Sequence, residues 1–459
     1  MAGIGFQLKK KLLPGTLTGV MQGYGYAAMI SSGPWIISIV SLAILGVLLT
    51  AGGFTQELDL FFVFITHIYG ASLILTGPVQ MVMTRFAADQ HFKKDEGTVF
   101  PALMTSLAVT SFWAGMLALP VFLLLTEGAL VFRLSSAFFF VILCCIWMTT
   151  VFLTSLKDYN AVLRSFAVGY AISFSCAWCC AVLFGGEFTM LGYVLGQVTL
   201  LLMFLKAVYD KFGSWKLSNW DFLPYFKSHW PLAVIGFFYN LGMWSDKFIY
   251  WWFSSVSIQI SGFFYAAPIY DAAVYLSFLS VVPGMAVFLI KLETDYAENY
   301  ERFFHYVINK GTLSEIFEAK RQMVSSLREG LAQLLKVQAL VTGCLALFAE
   351  QILGGLKLGA LQTGVFQVTL VGVFFLVIFL SMLTMLFYLN QLRHAAWSCV
   401  CFCVVNILCT SFNVVAGEQW YGTGFVAATL AALALSTYFV NLNHRLLEYN
   451  TFAPQQIGG

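Results

Sequence analysis

Twelve long apolar stretches limit what this chain can fold into. Each is long enough to cross a bilayer as a helix, which takes about 20 apolar residues. Hydrophobic residues make up 60% of the 459 residues and charged residues only 10%, and the mean hydropathy is +0.82. This composition excludes a soluble globular domain. We predict an all-α membrane protein with 12 transmembrane helices, near residues 20–50, 60–86, 99–125, 134–156, 165–184, 188–209, 229–253, 260–291, 332–350, 362–389, 394–415 and 421–442.

The positive charges alternate with these stretches. Of the 24 Lys and Arg residues, 21 fall at one set of alternate ends. Only Arg133 and Lys357 fall at the opposite ends, and Lys247 lies inside a stretch. Because cytoplasmic loops carry an excess of Lys and Arg, the pattern predicts that both termini are cytoplasmic.

A weak internal repeat predicts two lobes. Gly77-Pro78 precedes a charged stretch, and Pro283-Gly284 does the same at an offset of about 206 residues, close to half the chain. Two halves with the same orientation are related by an axis along the membrane normal. We predict two six-helix lobes with this pseudo-twofold axis, at residues 1–213 (helices 1–6) and 214–459 (helices 7–12).

The second lobe contains a cytoplasmic amphipathic segment at residues 292–331. From Leu313 onward, apolar residues recur at helical spacing opposite charged ones, which predicts a helix at the inner surface that runs into the ninth span. Such a helix either docks a cytosolic partner or serves as a spacer between two spans. The apolar positions are Phe317, Val324, Leu327, Leu331 and Leu334.

Residues 236–253 carry the strongest functional signal, because Asp246 and Lys247 lie inside an apolar stretch. Ionised groups at this depth are costly and normally face a bundle interior or a wet cavity. Nearby aromatic and amide side chains are of the kind that hold sugars or organic cations. The predicted translocation path consists of Asp246, Lys247, Asp271, Trp244, Tyr239, Asn240, Trp251, Tyr270, Tyr24 and Trp35.

Asp271 is expected to lie at the same depth as Asp246. Counted from the outer ends of the predicted spans, both carboxylates are about 10–15 Å deep. Adjacent helical residues point about 100° apart, so we predict that Asp246 and Lys247 diverge and that one of them pairs with Asp271. The alternative is a buried ion network that only pins two helices together.

Proline and glycine predict hinges in two spans. Pro34 follows Gly33 in the first span, and Pro268 and Pro283 flank the apolar part of the eighth. Proline removes a backbone donor and bends a helix, and the freed carbonyl groups then need partners within the membrane.

No motif for catalysis or cofactor binding is present. The sequence has no Gly-rich phosphate loop, HExxH or GxSxG motif, and the six His residues are scattered, mainly at span ends or in loops. The ten Cys residues lie mostly within apolar spans and lack ligand partners at metal spacing, so we interpret them as small apolar helix residues. We expect no enzyme activity, no catalytic residue, no metal, no cofactor and no nucleic-acid partner.

Several motifs, in this order, resemble the PelG family of Pel exopolysaccharide transporters, which belongs to the multidrug/oligosaccharidyl-lipid/polysaccharide (MOP) flippase superfamily. They are AGIGFQLKKKLL, YGYAAMISSGPWIISI, YNLGMWSDKFIYW, APIYDAAVYLSFLSVVPG and KLETDYAENYERFF. The resemblance implies two six-helix lobes around a central cavity, and movement of an N-acetylgalactosamine-rich polysaccharide across the bacterial inner membrane. It also implies partners: a cytosolic glycosyltransferase (PelF-like), a PelD-like cyclic-di-GMP receptor and a PelE-like membrane subunit, within the lipid bilayer.

Two other functions are compatible with the same residues. One is a proton- or cation-coupled exporter of lipid-linked sugars or small cations that uses Asp271 as its coupling carboxylate. The other is a scaffold that assembles a polysaccharide synthase complex without conducting a substrate.

Overall fold

The computed structural model describes residues 17–155, 159–214, 216 and 218–452, and this part of the chain is mostly helical. Its residues form two compact units. One contains residues 33–268, and the other contains residues 17–32 and 269–452. The chain thus passes from one unit to the other at Gly33 and Pro268, two of the predicted hinge positions. The predicted lobes, 1–213 and 214–459, stay a prediction.

Long helices build the unit of residues 33–268. Within it, α2 packs against α4 and α8, α3 against α4, and α5 against α6. Helix α1 begins in the other unit and ends in this one. The helices are α1 (Leu17–Ala51), α2 (Thr55–Lys93), α3 (Val99–Leu124), α4 (Leu130–Ser155), α5 (Tyr159–Phe184), α6 (Thr189–Phe212), α7 (Leu223–Ser228) and α8 (Trp230–Phe253).

Aromatic rings fill the core of this unit. Tyr193 of α6 contacts Phe61 of α2 and Phe139 of α4 edge-to-face, with ring centroids 5.4 Å apart in each case. All three side chains are buried. Edge-to-face pairs align the positive edge of one ring with the negative face of the other. This arrangement fixes the positions of α2, α4 and α6 around one point.

A two-stranded hairpin follows α8, where the sequence predicted the start of a helix at residue 260. Strands β1 (Ile258–Ser261) and β2 (Phe264–Ala266) are antiparallel. Phe264 stacks on Phe64 of α2 at 4.3 Å, and the backbone amide of Phe263 donates to the carbonyl oxygen of Leu125. The predicted start is wrong because a short apolar run favours strand and helix alike. The next helix begins at Pro268.

Arg133 of α4 is one of the two cations at the unexpected end of a span. Its side chain caps the C-terminal end of α3. Its guanidinium donates from Nε to the carbonyl oxygen of Phe122 at 3.1 Å and from Nη2 to that of Leu123. The last carbonyl groups of a helix lack intrahelical donors, and a cation placed there also interacts favourably with the negative end of the helix dipole. A local structural role therefore accounts for this exception to the charge pattern.

The described part of the other unit contains the short helices α9 and α10 and seven later α-helices. Helices α9 (Pro268–Phe278) and α10 (Val281–Ile290) are followed without a break by a π-helix, Lys291–Tyr296, and α11. Helix α16 packs against α14 and α15, and α12 packs against α10, α11 and α14. The later helices are α11 (Ala297–Ile308), α12 (Leu313–Leu347), α13 (Ala349–Gly355), α14 (Ala360–Tyr388), α15 (Leu392–Ala416), α16 (Thr423–Arg445) and α17 (Leu447–Phe452).

The helical hydrogen-bond ladder is interrupted between α9 and α10. Leu279, Ser280 and Val282 donate their backbone amides to the third residue before each of them, which is the tighter 3₁₀ pattern. Pro283 follows in the first turn of α10 and has no amide hydrogen to donate. The interruption therefore lies just before the predicted hinge residue.

Ten helical segments within the described residues are long and apolar enough to cross a membrane. Residues Ile36–Ala51 of α1 form a shorter apolar helix. Helix α8, with Asn240, Asp246 and Lys247, is not among the ten. The chain is a multi-pass membrane protein, and the count of twelve spans and the orientation of the termini stay predictions.

Helix α12 confirms that an amphipathic helix begins at Leu313 and continues into the ninth span. Leu327 and Leu334 are buried, whereas Phe317 is 44% exposed. The packed stripe of α12, which is buried against other residues, contains Ile316 and not Phe317. The stripe consists of Ile316, Ala319, Met323, Leu327, Gly330 and Leu334.

Candidate functional site

Asp246 and Lys247 form an ion pair on α8. The Lys247 ammonium nitrogen lies 3.1 Å from each carboxylate oxygen of Asp246 and also donates to the carbonyl oxygen of Met243 at 3.0 Å. The exposed fractions of the two side chains are 1% and 13%. The prediction that they diverge is wrong, because the four-carbon stem of lysine bends back towards its neighbour.

The ring of Trp244 lies next to this pair. The Lys247 ammonium nitrogen is 5.7 Å from the ring centroid, within cation–π range. The ring also covers Gly70 of α2, where an added Cβ would lie 2.7 Å from ring atom Cε3. The cation is therefore held by a carboxylate, a backbone carbonyl group and an aromatic ring.

A glycine pair sets how closely α2 and α8 approach. A Cβ on Gly236 would lie 2.1 Å from the carbonyl oxygen of Gly77, and one on Gly77 would lie 2.4 Å from the carbonyl oxygen of Gly236. Asn240 donates its side-chain amide to the same Gly236 oxygen at 2.8 Å. Small residues let two backbones approach this closely within a membrane.

Helical spacing divides the predicted α8 residues into two stripes. Asn240, Trp244, Lys247 and Trp251 recur at three- and four-residue intervals, on the stripe that also contains Gly236 and packs against α2. Tyr239 and Asp246 lie on a neighbouring stripe with Tyr250. Asp246 and Tyr250 are fully buried, and Tyr239 is half-buried. The predicted path residues of α8 thus face two directions.

His67 of α2 is a member of this cluster that the sequence analysis did not single out. Its ring stacks on Trp251 with centroids 4.0 Å apart, and its Nδ1 lies 2.9 Å from the carbonyl oxygen of Val63. Among the described residues, its buried Nε2 has no hydrogen-bond partner. The placement of the histidines at span ends or in loops is therefore wrong for His67. An isolated histidine in an apolar stretch has no spacing that would reveal its role.

Asp271 and Tyr270 lie in the first turn of α9, in the other unit. Tyr270 is fully buried. Because the helix begins at Pro268 and not at residue 260, Asp271 lies about 5 Å from the start of its helix, and its depth in the membrane stays a prediction. A carboxylate in the first turn also interacts favourably with the positive end of the helix dipole. The pairing of Asp271 with Asp246 or Lys247 stays a prediction.

The first-helix members of the predicted path are described only in part. Tyr24 is half-buried on α1. The helix continues through Gly33 and Pro34. The side chains of Pro34 and Trp35 lie outside the described residues.

A second polar cluster lies where α10 passes into α11. Glu293 lies on the π-helix and is only 7% exposed. π-Helical turns are rare in proteins, and those that occur are often found at functional sites. The rings of Tyr296 and Tyr300 lie 5.6 and 5.5 Å from that of Tyr388, whose buried hydroxyl has no hydrogen-bond partner among the described residues. Glu293 itself was the available signal in the sequence, but the sequence analysis placed it in the cytoplasmic segment 292–331.

The described residues contain no group of three or more His, Cys, Asp or Glu side chains that could hold a metal ion. All ten Cys residues, each within the described ranges, are free. Asn413 accepts a hydrogen bond from Thr423 at the start of α16, so it joins two helices.

Comparisons with known proteins assign the fold. The chain is similar to a MOP superfamily transporter from Pyrococcus furiosus Vc1, with a TM-score of 0.63 and 11% identity over 92% of this chain and 96% of that one. It is also similar to outward-facing and inward-facing structures of a multidrug resistance MATE family transporter of the MOP superfamily. Their TM-scores are 0.63 and 0.61, with 12% and 11% identity over 92% of this chain and 96% and 95% of theirs. At this identity the likeness establishes the fold alone, which is that of the MOP superfamily structures.

No curated protein sequence matches the chain. A family model does: PelG, described as "Putative exopolysaccharide Exporter (EPS-E)", matches residues 1–452. This match covers nearly the whole chain, including every cluster described above, and the chain therefore belongs to the PelG family of exopolysaccharide exporters.

Proposed function

We propose that this protein moves a Pel-type amino-sugar exopolysaccharide from the cytoplasm to the periplasm, across the bacterial inner membrane. The family match and the transporter fold support export of a polysaccharide. The single observation that carries the mechanism is the buried Asp246–Lys247 pair beside Trp244 on α8. A helix that carries an ion pair at membrane depth normally serves a polar substrate or an ion.

In this mechanism α8 contributes two kinds of group. Carboxylate oxygens of Asp246 accept hydrogen bonds from sugar hydroxyl groups, and Tyr239 stacks on sugar faces. Stacking contacts are modest in strength, so a long polymer can slide past them. The stripe that packs on α2 keeps this arrangement in place through Trp244 and the Gly77–Gly236 contact.

Conformational change in this proposal takes place at the predicted hinges. The chain passes between the two compact units at Gly33 and Pro268, and the helical ladder is interrupted just before Pro283. The segment before Pro283 has few regular hydrogen bonds and absorbs changes in dihedral angles more readily than a continuous helix, whereas at Gly33 the proposal requires the continuous helix α1 to bend. The route between the two predicted lobes remains part of the proposal, as do the glycosyltransferase and the membrane subunits as partners.

Secretion by cells that carry Asp246→Asn tests the proposal. We expect extracellular polymer, measured with a lectin specific for N-acetylgalactosamine, to be lost. The amount and gel-filtration profile of the protein are measured on the same cells, because Asp246→Asn also removes the charged partner of Lys247. The matched control is Asp89→Asn, which removes a carboxylate paired with Arg85 on the exposed end of α2 and should secrete normally. Normal secretion by the Asp246→Asn protein would remove this residue from the mechanism.

Purified protein in liposomes separates the remaining alternatives. An exporter of polysaccharide should release entrapped N-acetylgalactosamine oligomers through the wild-type protein and not through the Asp246→Asn variant. Passage of small organic cations without oligomers would favour a cation exporter, and passage of neither would favour a scaffold.

A further inference from the structure

The helical segment that ends in α11 and the helix α12 that follows it are both longer than a bilayer is thick. The continuous segment Pro268–Ile308 has 41 residues and α12 has 35, which correspond to about 60 and about 50 Å. The hydrocarbon core of a bilayer is about 30 Å thick. In α12 the charged residues lie between Glu315 and Lys336, and the rest of the helix to Leu347 has none. The N-terminal half of α12 therefore projects out of the membrane together with α11.

This projection is a rigid hairpin. Thr312 and Glu315 form a capping box at the start of α12, in which each side chain bonds to the backbone amide of the other residue. Two hydrogen bonds join the helices: Asn299 to Ser326 and Arg302 to Gln322, both at 2.9 Å. A hairpin fixed in this way can present a surface without first becoming ordered, which lowers the cost of binding.

One face of α12 on this hairpin is both apolar and basic. We call it the basic face. It follows three- and four-residue spacing and lies beside the packed stripe. Leu313 is 64% exposed and Phe317 44% exposed, although both lie outside the apolar part of the helix. The basic face consists of Leu313, Phe317, Lys320, Arg321, Val324 and Arg328.

The basic face borders a pocket of about 790 Å³ next to α17. Glu448 of α17 pairs with Lys320 at 2.5 Å, and Glu318 pairs with Arg321 at 2.6 Å on the exposed surface, where the Arg321 side chain is 77% exposed. Glu448 is the only carboxylate among the residues that line the pocket, against three cations. The lining residues therefore have a formal charge of +2, and Glu318 beside them offsets part of the charge of Arg321.

Distance from the membrane decides what the basic face can bind. Arg321 lies about 17 Å along the helix axis from Ala332, where the predicted ninth span begins. The headgroup layer on each side of a bilayer is only about 5–8 Å thick. A lipid headgroup therefore does not reach Arg321, whereas a protein beside the membrane does.

We infer that the basic face of α12 binds an acidic, amphipathic helix of a cytosolic protein. Apolar side chains of that helix cover Leu313 and Phe317, and its carboxylates pair with Arg321 and Arg328. Helix-in-groove binding uses apolar anchors at three- and four-residue intervals, and opposite charges set the register. The cytoplasmic location rests on the charge pattern that also underlies the proposed function.

Photo-crosslinking from the complete protein in its own cells tests this inference. Benzoylphenylalanine is placed at position 317, the cells are irradiated, and the crosslinked peptides are sequenced by mass spectrometry. We expect a crosslink to another protein at a peptide rich in Asp and Glu. Arg321→Glu together with Arg328→Glu should lower its yield about tenfold or more, because like charges then face each other. Replacing the Asp and Glu residues of the crosslinked partner peptide by Lys should restore the yield of the crosslink.

The matched control is Lys310→Glu, which changes an exposed cation in the turn between α11 and α12 that does not line the pocket. It should leave the yield unchanged. Should the double variant fail to fold, 0.5 M salt added to wild-type membranes should weaken the crosslink instead, because it screens exposed charges. A crosslink only to lipid, only to a second copy of this chain, or one insensitive to both charge reversal and salt would overturn the inference. None of these outcomes depends on polymer export, so a failure here is distinct from a failure of the proposed function.

Discussion

Gln338 of α12 donates its side-chain amide to the carbonyl oxygen of Ser280 at 3.0 Å, at the interruption between α9 and α10. Both residues are buried. The bond gives this buried carbonyl group a side-chain donor three residues before Pro283. A Cβ on Gly284 would lie 2.3 Å from Gln338 Oε1, so glycine at that position gives the side chain room to reach Ser280. An irregular turn at membrane depth is thus completed by a neighbouring helix, as the lack of water there requires.

Gln338→Leu should destabilise the protein by about 1–3 kcal/mol, because the Ser280 carbonyl group stays buried after its donor is lost. Leucine has a similar volume, so a change in packing contributes little. Thermal unfolding in detergent micelles measures the effect. Gln322→Leu is the control, since Gln322 makes its hydrogen bonds on the exposed surface of the same helix. An unchanged unfolding temperature for Gln338→Leu would show that this bond does not stabilise the interruption.

The contact between α2 and α8 gives a second prediction. Gly236→Ala introduces a methyl group within 2.1 Å of a backbone oxygen, and backbone atoms cannot move aside without separating the helices. We expect a loss of about 1–3 kcal/mol in the free energy of unfolding, as for other overpacked sites.

Gly115→Ala is the control for this change. Gly115 lies in α3, and an added Cβ there would meet nothing within 4 Å. This substitution should be neutral or should stabilise the helix by up to about 1 kcal/mol, because alanine has the higher helix propensity. Equal unfolding temperatures for the two variants would contradict the close approach of Gly77 and Gly236.

The sequence was most informative where a pattern repeats. Helical periodicity and length located the long helices, and the start of α12 at Leu313 was predicted from spacing alone. The hairpin of β1 and β2 was missed because seven apolar and polar residues have no period long enough to separate strand from helix. Because the expected depth of Asp271 was counted from residue 260, it rests on the wrong helix start.

Isolated polar residues were the least predictable part of the candidate site. His67 stands alone in an apolar stretch and Glu293 lies in a charged one, and only the packing of other helices around them reveals that they are buried beside Trp251 and Tyr388. The error for Asp246 and Lys247 has a different cause. Backbone directions follow from sequence position, whereas the end of a flexible lysine side chain goes where its partner is.

The ion pair on α8 gives the prediction that separates a structural role from a transport role. Lys247→Met leaves the Asp246 carboxylate buried without the ammonium group that lies 3.1 Å from it. Breaking a buried pair in this way costs about 3–5 kcal/mol, whereas replacing both partners by neutral residues is often nearly neutral. Lys247→Met alone should therefore unfold at a lower temperature, and Asp246→Asn combined with Lys247→Met should recover most of the loss.

Polymer export by the doubly neutral protein then decides between the two roles. If the pair only joins helices, restored stability should restore secretion. Our proposal requires the opposite result: a folded protein, with a normal unfolding temperature, that secretes no polymer, because Asp246 no longer accepts hydrogen bonds from sugar hydroxyl groups as a carboxylate. Lectin measurement of extracellular polymer, made on the same cultures as the stability assay, distinguishes them. Secretion at the wild-type level by this variant would assign the pair to structure and leave the sugar contacts to other residues.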